Sequence, residues 1–172
     1  MKRYLTSSIL VAALAVSACT NPARFGSDGA GGAAAGAGAG GIVPGSANDP
    51  ASTAYFQQTV GDRVLFEVDQ SNLTEAGRAT LEGQANWLLE NTAFTAVIEG
   101  HADEQGTREY NLALGARRAD TVRNYLISRG IAGTRLRVVS YGKERPAEIC
   151  SEESCYSRNR RAVTVLASGL TG

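Results

Sequence analysis

His101-Ala-Asp-Glu-Gln-Gly-Thr-Arg-Glu-Tyr-Asn-Leu-Ala-Leu-Gly-Ala-Arg-Arg-Ala-Asp120 joins the end of an apolar, strand-like run to an amphipathic helix. It places an acid, Asp103, at the strand end and a basic pair, Arg117 and Arg118, within the helix. A strand end and a helix joined by a short loop can lie side by side. An acid and a guanidinium held together there could bind a ligand that carries both an ammonium and a carboxylate.

The residues before this stretch predict a strand, a helix and a second strand. Arg63–Asp69 is rich in Val, Leu and Phe and leads into turn residues, which is typical of a strand. Thr74 predicts the N-cap of a helix that extends to about Glu90. Phe94–Glu99 is an apolar run that leads directly into the stretch quoted above and is predicted to be the second strand.

The second helix is predicted from Thr107, its expected N-cap, to Gly130, a glycine suited to the position just after a helix. Apolar residues recur along it at spacings of four, three, three and four, which places them on one helical face. They are Leu112, Ala116, Ala119, Val122 and Leu126.

The remaining predicted elements are a third strand at Arg135–Tyr141, a loop from Gly142 to about Ser154, a short helical turn at Tyr156–Asn159 and a final strand at Arg161–Ala167. The order of the main elements is thus β-α-β-α-β-β. Both β-α-β connections are long enough for helical crossovers, which predicts parallel neighbours, whereas the last strand could pair antiparallel. The predicted fold is an α/β two-layer sandwich with two helices on one face of a mixed four-stranded sheet.

The N-terminus predicts a targeting segment, residues 1–18. Lys2 and Arg3 precede a mostly apolar run, Ile9–Val16, that is too short to span a bilayer comfortably. Small residues then lead to Cys19, a pattern that predicts a bacterial lipoprotein signal with lipid on this cysteine. The alternative is an ordinary secretory signal with an incidental cysteine.

Residues 19–52 are dominated by Gly and Ala, with Ser and Pro, and lack apolar periodicity. They are predicted to be a flexible tether, which leaves residues 53–172 as one domain with one core. The chain has 17 Lys and Arg against 17 Asp and Glu and no long basic run. This balance weighs against nucleic acid as a partner.

Cys150 and Cys155 are the two cysteines that remain once Cys19 is assigned to lipid. An export signal implies an oxidising compartment, so we predict a local disulfide that closes a surface loop. A metal site would need further ligands close by in the sequence, and a Cys-x-x-x-x-Cys redox motif is a poor match.

Enzymatic chemistry finds little support in these residues. His101 is the only histidine, so no second imidazole completes a metal set with Asp103 and Glu104. We find neither a nucleophile-elbow serine nor a glycine-rich phosphate loop. A single histidine at a strand end is more often structural, and we predict a protein that is not an enzyme. Spacing alone leaves open whether Arg117 and Arg118 bind a ligand or form a solvated helix face with local ion pairs.

Three ordered motifs resemble those of a known family, the OmpA-like C-terminal domains, over about residues 60–168. They are Gly100-His101-Ala-Asp103-Glu-Gln-Gly106 followed by Tyr110-Asn111, Leu114, Arg117-Arg118-Ala119 and Val122; Ser140-Tyr-Gly-Lys-Glu-Arg-Pro146; and Tyr156-Ser-Arg-Asn-Arg-Arg-Ala-Val163. With the lipoprotein signal and the tether, the whole chain resembles the lipid-anchored members of this family, the peptidoglycan-associated lipoproteins (Pal).

The resemblance implies a domain that binds peptidoglycan non-covalently through diaminopimelate, without a cofactor. Asp103 and Arg118 match the family's two ligand positions, and Asn111 and Leu114 match positions that shape its pocket. Arg117 is expected to serve structure or a partner surface.

The first-strand motif of the family is commonly Phe-Asp-x-Asp, whereas this chain has Phe66-Glu67-Val68-Asp69. One acid is therefore longer by a methylene group. The resemblance implies that the backbone around Phe66, Glu67 and Val68 still lines the pocket.

The resemblance also implies an outer-membrane protein that faces the periplasm, belongs to the Tol–Pal system and has TolB as a competing partner. Thr20, after the lipidated cysteine, is compatible with outer-membrane sorting. The alternatives are a wall-anchoring lipoprotein outside the Tol system and, from a separate class, a peptidoglycan hydrolase.

Overall fold

The structure of the chain, a computed structural model, describes residues 42–168. The predicted signal, the lipidation of Cys19 and most of the predicted tether lie outside these residues. The elements in chain order are α1 (Thr53–Tyr55), which continues as a π-helical segment (Phe56–Gly61), β1 (Arg63–Leu65), α2 (Glu75–Glu90), β2 (Phe94–His101), α3 (Arg108–Ser128), a 3-10 turn (Gly133–Arg135), β3 (Leu136–Gly142), α4 (Glu153–Asn159) and β4 (Arg161–Ser168).

The four strands form one mixed sheet in the order β1-β4-β2-β3. β4 is antiparallel to both of its neighbours, whereas β2 and β3 are parallel. The mixed four-stranded sheet and the antiparallel last strand are therefore confirmed. The prediction that both β-α-β units join neighbouring strands is wrong for the first unit, because β4 lies between β1 and β2. The connection through α2 therefore leaves a gap of one strand between β1 and β2, and β4 later fills this gap.

The core lies between this sheet and the helices α2 and α3. Alternate strand residues such as Ala96 and Ile98 on β2 point towards the helices and are buried. Leu81 and Leu88 on α2 and Leu126 on α3 pack against them. Both long helices thus cover the same face of the sheet, as the predicted two-layer sandwich requires. The predicted apolar face of α3 is confirmed for Ala119, Val122 and Leu126, which are buried, and is wrong for Leu112, which is 45% exposed.

The predicted boundaries of both long helices are confirmed by their caps. Thr74 Oγ1 accepts a hydrogen bond from the Gly77 amide at 3.0 Å, and Thr107 Oγ1 accepts one from the Tyr110 amide at 3.2 Å. Gly130 follows α3 with a φ of 99°, a left-handed conformation that glycine adopts without a steric penalty.

The first strand is shorter than predicted. β1 ends at Leu65, and the chain makes one more bond to the sheet, from the Phe66 amide to the Arg160 carbonyl at 2.9 Å. A turn follows at once, closed by a 3.1 Å bond from the Gln70 amide to the Glu67 carbonyl. Asp69 adopts a φ of 56° in this turn. The prediction of a strand through Asp69 is wrong because these residues curl over the end of the sheet.

The helix α3 lies unusually close to the end of β2. A Cβ atom added to Gly100 would overlap the Gly115 carbonyl group, so only glycine allows this approach. Because Gly115 is in the middle of α3, the contact fixes the helix against the strand end. Residues one turn to either side thereby reach the end of the strand, where Asn111 bonds the Gln105 carbonyl and Arg118 bonds the His101 carbonyl.

Residues before β1 form structure that the sequence did not predict. Within residues 42–52, at the end of the predicted tether, the chain forms hydrogen-bonded turns. The Trp87 indole donates to the Pro50 carbonyl at 2.7 Å, and its ring lies 4.9 Å from the fully buried ring of Phe56. Within residues 42–168, no helix combines the length and apolar character needed to cross a bilayer.

Candidate functional site

A cleft of about 230 Å³ opens where β2 ends and α3 begins. Two carboxylates, Asp69 and Asp103, face it from separate segments of the chain. The residues that line it are Val68, Asp69, Asp103, Gln105, Gly106, Tyr110, Asn111 and Leu114. Its acidic and partly apolar lining suits a cation carried on an aliphatic chain.

Asp103 lies two residues beyond β2 and is only 8% exposed. Its Oδ1 atom accepts a hydrogen bond from the Gln105 amide at 3.2 Å, which holds the loop in a tight turn. Its Oδ2 atom forms an ion pair with Arg160 Nη1 at 3.2 Å. The carboxylate is thus anchored on one side by the protein while it lines the cleft, and its role as a ligand-binding residue stays a prediction.

Arg118 is fully buried, and its guanidinium group donates to three backbone carbonyls. Nε bonds the Gln70 carbonyl at 2.8 Å, Nη1 bonds the His101 carbonyl at 2.9 Å and Nη2 bonds the Glu67 carbonyl at 3.1 Å. The side chain therefore ties the turn after β1 to the end of β2. Since a guanidinium carries five N–H groups, two remain beyond these three bonds.

The charge of Arg118 is retained in this buried place. Burial lowers the pKa of Arg118 to about 10, opposed by the nearby Asp103 carboxylate, so the group stays protonated at neutral pH. Its guanidinium carbon lies 5.2 Å from the centre of the Phe66 ring, within the range of a cation–π contact. Arg118 is not among the residues that line the cleft, and its predicted role as a ligand stays a prediction.

The other predicted site residues are brought to the same region but not to the same depth. Val68 and Leu114 line the cleft directly. Phe66 is buried beneath Arg118, and Glu67 contributes its backbone carbonyl to that arginine. The structure therefore separates the predicted set into residues that face the cleft and residues that support it.

Asn111 joins the two walls of the cleft. It is 1% exposed, and its side-chain amide donates to the Gln105 carbonyl at 2.7 Å. This bond ties the first turn of α3 to the loop that carries Asp103. Gly106, in the same loop, has a φ of 91°, which lets the chain turn back towards the helix.

The sequence reasoning did not include Asp69 and Tyr110 in the site. The Tyr110 hydroxyl donates to Asp69 Oδ1 across the mouth of the cleft. This contact raises the pKa of the Tyr110 hydroxyl, because the neighbouring carboxylate stabilises its protonated form. The turn residues after Asp69 were the available signal, since they place this acid where the chain leaves the strand.

Arg160 is the larger omission. It is 3% exposed, and besides Asp103 its guanidinium contacts the Glu153 carboxylate and the Phe66 carbonyl, the latter at 3.2 Å from Nε. The hydrogen bonds to Glu153 and Asp103 raise the pKa of Arg160. Its place directly before the last strand was the available signal, but only the sheet order brings that strand beside β2.

His101 is buried at 1% exposure, and neither ring nitrogen has a hydrogen-bond partner within residues 42–168. Its Nε2 atom lies 3.7 Å from Glu99 Oε2, and its ring is 5.6 Å from that of Tyr141. Burial, with a contribution from the Arg161 charge, lowers the pKa of His101 to about 4. The imidazole is neutral at physiological pH and does not line the cleft.

The remaining predictions concern residues at the surface. The disulfide between Cys150 and Cys155 is confirmed, with the two Cα atoms 5.9 Å apart. Arg117 is exposed on α3. Within the part of the chain that the structure describes, no cluster of three or more His, Cys, Asp or Glu side chains has the arrangement of a metal site.

The fold and the cleft define an OmpA-like domain, and the sequence model of the OmpA family matches residues 65–160. The chain is 50% identical over 157 residues to the peptidoglycan-associated lipoprotein of Rhizobium meliloti (strain 1021), across 91% of this chain and 84% of that relative. It is 43% identical over 112 residues to the protein of the same name from Haemophilus influenzae, across 65% and 72% of the two chains.

Solved structures agree with this placement. The crystal structure of the peptidoglycan-associated lipoprotein from Burkholderia pseudomallei is similar with a TM-score of 0.64 and 33% identity, over 69% of this chain and all (100%) of that one. The C-terminal domain of Helicobacter pylori MotB shares the fold alone, with a TM-score of 0.59 and 20% identity over 63% and 86% of the chains. The chain therefore belongs to the OmpA family and, within it, to the peptidoglycan-associated lipoproteins.

Proposed function

We propose that this protein is a non-catalytic anchor that binds peptidoglycan through the cleft at the end of β2. The observation that carries the proposal is the placement of two carboxylates, Asp69 and Asp103, in one cleft, with the buried cation of Arg118 near enough to interact with both. The names of the similar proteins, peptidoglycan-associated lipoproteins, point to the same ligand.

The ligand that fits this chemistry is the free zwitterionic end of diaminopimelate in a stem peptide. Its ammonium group would bind Asp103 and Asp69, which offer acceptor oxygens at the cleft. Its carboxylate would be attracted by the buried charge of Arg118, whose guanidinium has two N–H groups beyond its three carbonyl bonds. Leu114 and Val68 would contact the aliphatic part of the ligand.

The rest of the proposed function follows from the N-terminal segment. A lipid on Cys19 would hold the protein in the outer membrane on its periplasmic side. A tether of about 30 residues spans roughly 30 Å as a flexible coil, so that the domain can reach the cell wall. The proposal includes membership of the Tol–Pal system, with TolB as a partner and a contribution to envelope integrity and constriction at division.

Asp103→Asn is the sharpest test of the site. It preserves the shape of the side chain and the acceptor for the Gln105 amide, but removes the negative charge that would bind the ammonium group and that pairs with Arg160. Thermal unfolding of the variant therefore accompanies the binding assay and verifies that the domain is folded. We expect it to reduce binding of the full-length protein to purified sacculi at least tenfold, since a hydrogen-bonded, buried charge contact contributes about 2 kcal/mol or more.

Arg117→Ala is the matched control, because Arg117 is exposed on the same region of the fold and should leave wall binding unchanged. Competition by free diaminopimelate, but not by free alanine, would identify the ligand end. Wild-type retention of Asp103→Asn on sacculi would refute this site.

Two further measurements separate the alternatives. Release of soluble muropeptides during incubation with sacculi would favour a hydrolase, whereas co-sedimentation without release supports an anchor. Co-purification of TolB with the full-length protein would support the Tol–Pal assignment. Its absence, together with intact wall binding, would favour an anchor outside the Tol system.

A further inference from the structure

The helix α4 is held by little burial or capping of its own. It has seven residues, its N-cap residue Glu152 makes no side-chain capping bond, and Asn159 is its only buried residue. Isolated helices of this length are unstable in water. Contacts to other parts of the chain must therefore keep its first turn in place.

The disulfide supplies one of these constraints. Cys155 is the third residue of α4, and its bond to Cys150 closes the loop that leads into the helix. Next to the two cysteines, Ser151 Oγ and Tyr156 Oη both donate to Glu104 Oε1, at 3.1 Å and 2.9 Å. Because Glu104 directly follows Asp103, the first turn of α4 is fixed against the wall of the cleft.

Glu153, the first residue of α4, reaches the cation that pairs with Asp103. Arg160 Nη1 lies 3.4 Å from Glu153 Oε2 and 3.2 Å from Asp103 Oδ2, and Nη2 also contacts Glu153. The guanidinium is therefore shared between two carboxylates. The Glu153 side chain is 65% exposed, so burial does not hold it there, and its position depends on the backbone of α4.

The net charge of the cluster formed by Asp103, Arg160 and Glu153 determines how strongly Asp103 attracts a cationic ligand. Asp103, Arg160 and Glu153 are two carboxylates and one guanidinium, which together carry a net charge of −1. Without Glu153 the net charge is zero, and Arg160 has Asp103 as its single carboxylate partner among residues 42–168. The Asp103 carboxylate would then be drawn more strongly to Arg160 and would attract an ammonium group less.

We propose that Glu153 is a positioning residue for Asp103, acting through Arg160, and that the Cys150–Cys155 disulfide keeps Glu153 in place. The inference rests on the proposed function, because the ligand ammonium is the one proposed to bind Asp103. It assigns the disulfide loop a role in wall binding without any contact between the cysteines and the ligand.

The test is a mutant cycle on the full-length protein, purified in detergent with its disulfide formed and titrated with purified sacculi. The variants are Glu153→Gln, the Cys150→Ser and Cys155→Ser pair, and the combination of all three changes. Glu152→Gln is the matched control, because this neighbouring glutamate makes no side-chain hydrogen bond or ion pair within the described residues.

We expect Glu153→Gln and the cysteine pair each to raise the Kd for sacculi about fivefold, the effect of losing a partly exposed ion pair. The triple variant should show the same fivefold increase, because both changes remove one and the same interaction. Glu152→Gln should bind as the wild-type protein does. A disulfide that acted on general stability would weaken binding equally in both backgrounds.

Two results would overturn the inference while wild-type binding and its dependence on Asp103 remain intact. One is wild-type affinity of Glu153→Gln. The other is a multiplied loss of about 25-fold in the triple variant, which would show that the disulfide acts by another route. If the wild-type protein does not bind sacculi, the proposed function is refuted, and this inference with it. Thermal unfolding of each variant verifies that the domain is folded in the binding assay.

Discussion

Replacement of Arg118 by alanine should destabilise the domain far more than the usual loss of an arginine. The guanidinium makes bonds of 2.8, 2.9 and 3.1 Å to the carbonyls of Gln70, His101 and Glu67, and it is completely buried. A hydrogen bond to a charged group contributes about 1.5–3 kcal/mol. The cost of burying the charge offsets part of the sum, so we expect a loss of about 4 kcal/mol in the free energy of unfolding.

Urea unfolding monitored by tryptophan fluorescence measures this loss. Trp87 is the only tryptophan, is 4% exposed and packs on Phe56, so its emission reports on the core. With an m-value of about 2 kcal/mol/M, the midpoint should fall by about 2 M. Arg117→Ala, at the exposed neighbouring position, should change the stability by less than about 0.5 kcal/mol.

Arg118→Lys refines the test. A lysine keeps the charge but is a point donor that cannot bond three carbonyls in the directions of a planar guanidinium, so it should recover only part of the loss. A midpoint for Arg118→Ala within about 0.3 M of the wild type, equivalent to about 0.6 kcal/mol, would refute the reasoning. Arg118 would then be available to a ligand at no structural cost. Because a change at Arg118 is expected to destabilise the fold itself, Asp103→Asn is the better test of binding.

Two more predictions concern buried positions near the site. The folded-state pKa of His101, about 4, lies below its unfolded value of about 6.5, so the unfolded chain binds the proton more readily. The stability that the neutral His101 contributes is complete above pH 6.5 and is lost as the pH falls towards 4, by at most about 3 kcal/mol. Urea midpoints measured against pH should therefore decline less on the acid side for His101→Leu than for the wild type. Parallel pH curves for the two proteins would contradict this pKa argument. Gly100→Ala should cost about 3 kcal/mol or more, because its Cβ atom would overlap the Gly115 carbonyl. Gly83→Ala on α2 is the control, because a Cβ there would make an ordinary 3.4 Å contact with Val60; it should be neutral or stabilising by up to about 1 kcal/mol. Equal thermal midpoints for Gly100→Ala and Gly83→Ala would contradict the packing argument.

The cleft shows how much of a binding site follows from local sequence. The loop with Asp103 and the helix with Asn111 and Leu114 are joined by only a few residues, and short-range spacing was enough to place them together. The opposite wall comes from the turn after β1, where Asp69 takes a left-handed conformation. This turn is held at the site by hydrogen bonds from Arg118 to residues 48 and 51 positions away in the sequence. No local sequence pattern reveals such contacts.

The amino-acid sequence by itself determined the elements of this protein: the caps at Thr74 and Thr107, the end of the long helix at Gly130 and the alternation of the strands. Their causes are bonds and side-chain periodicities among residues a few positions apart. Only the tertiary structure decided that β4 lies between β1 and β2 and that Asp103 pairs with Arg160, 57 residues away. Such a pairing depends on the order of strands in the sheet, which is set by the packing of the whole core and not by the residues of any one strand.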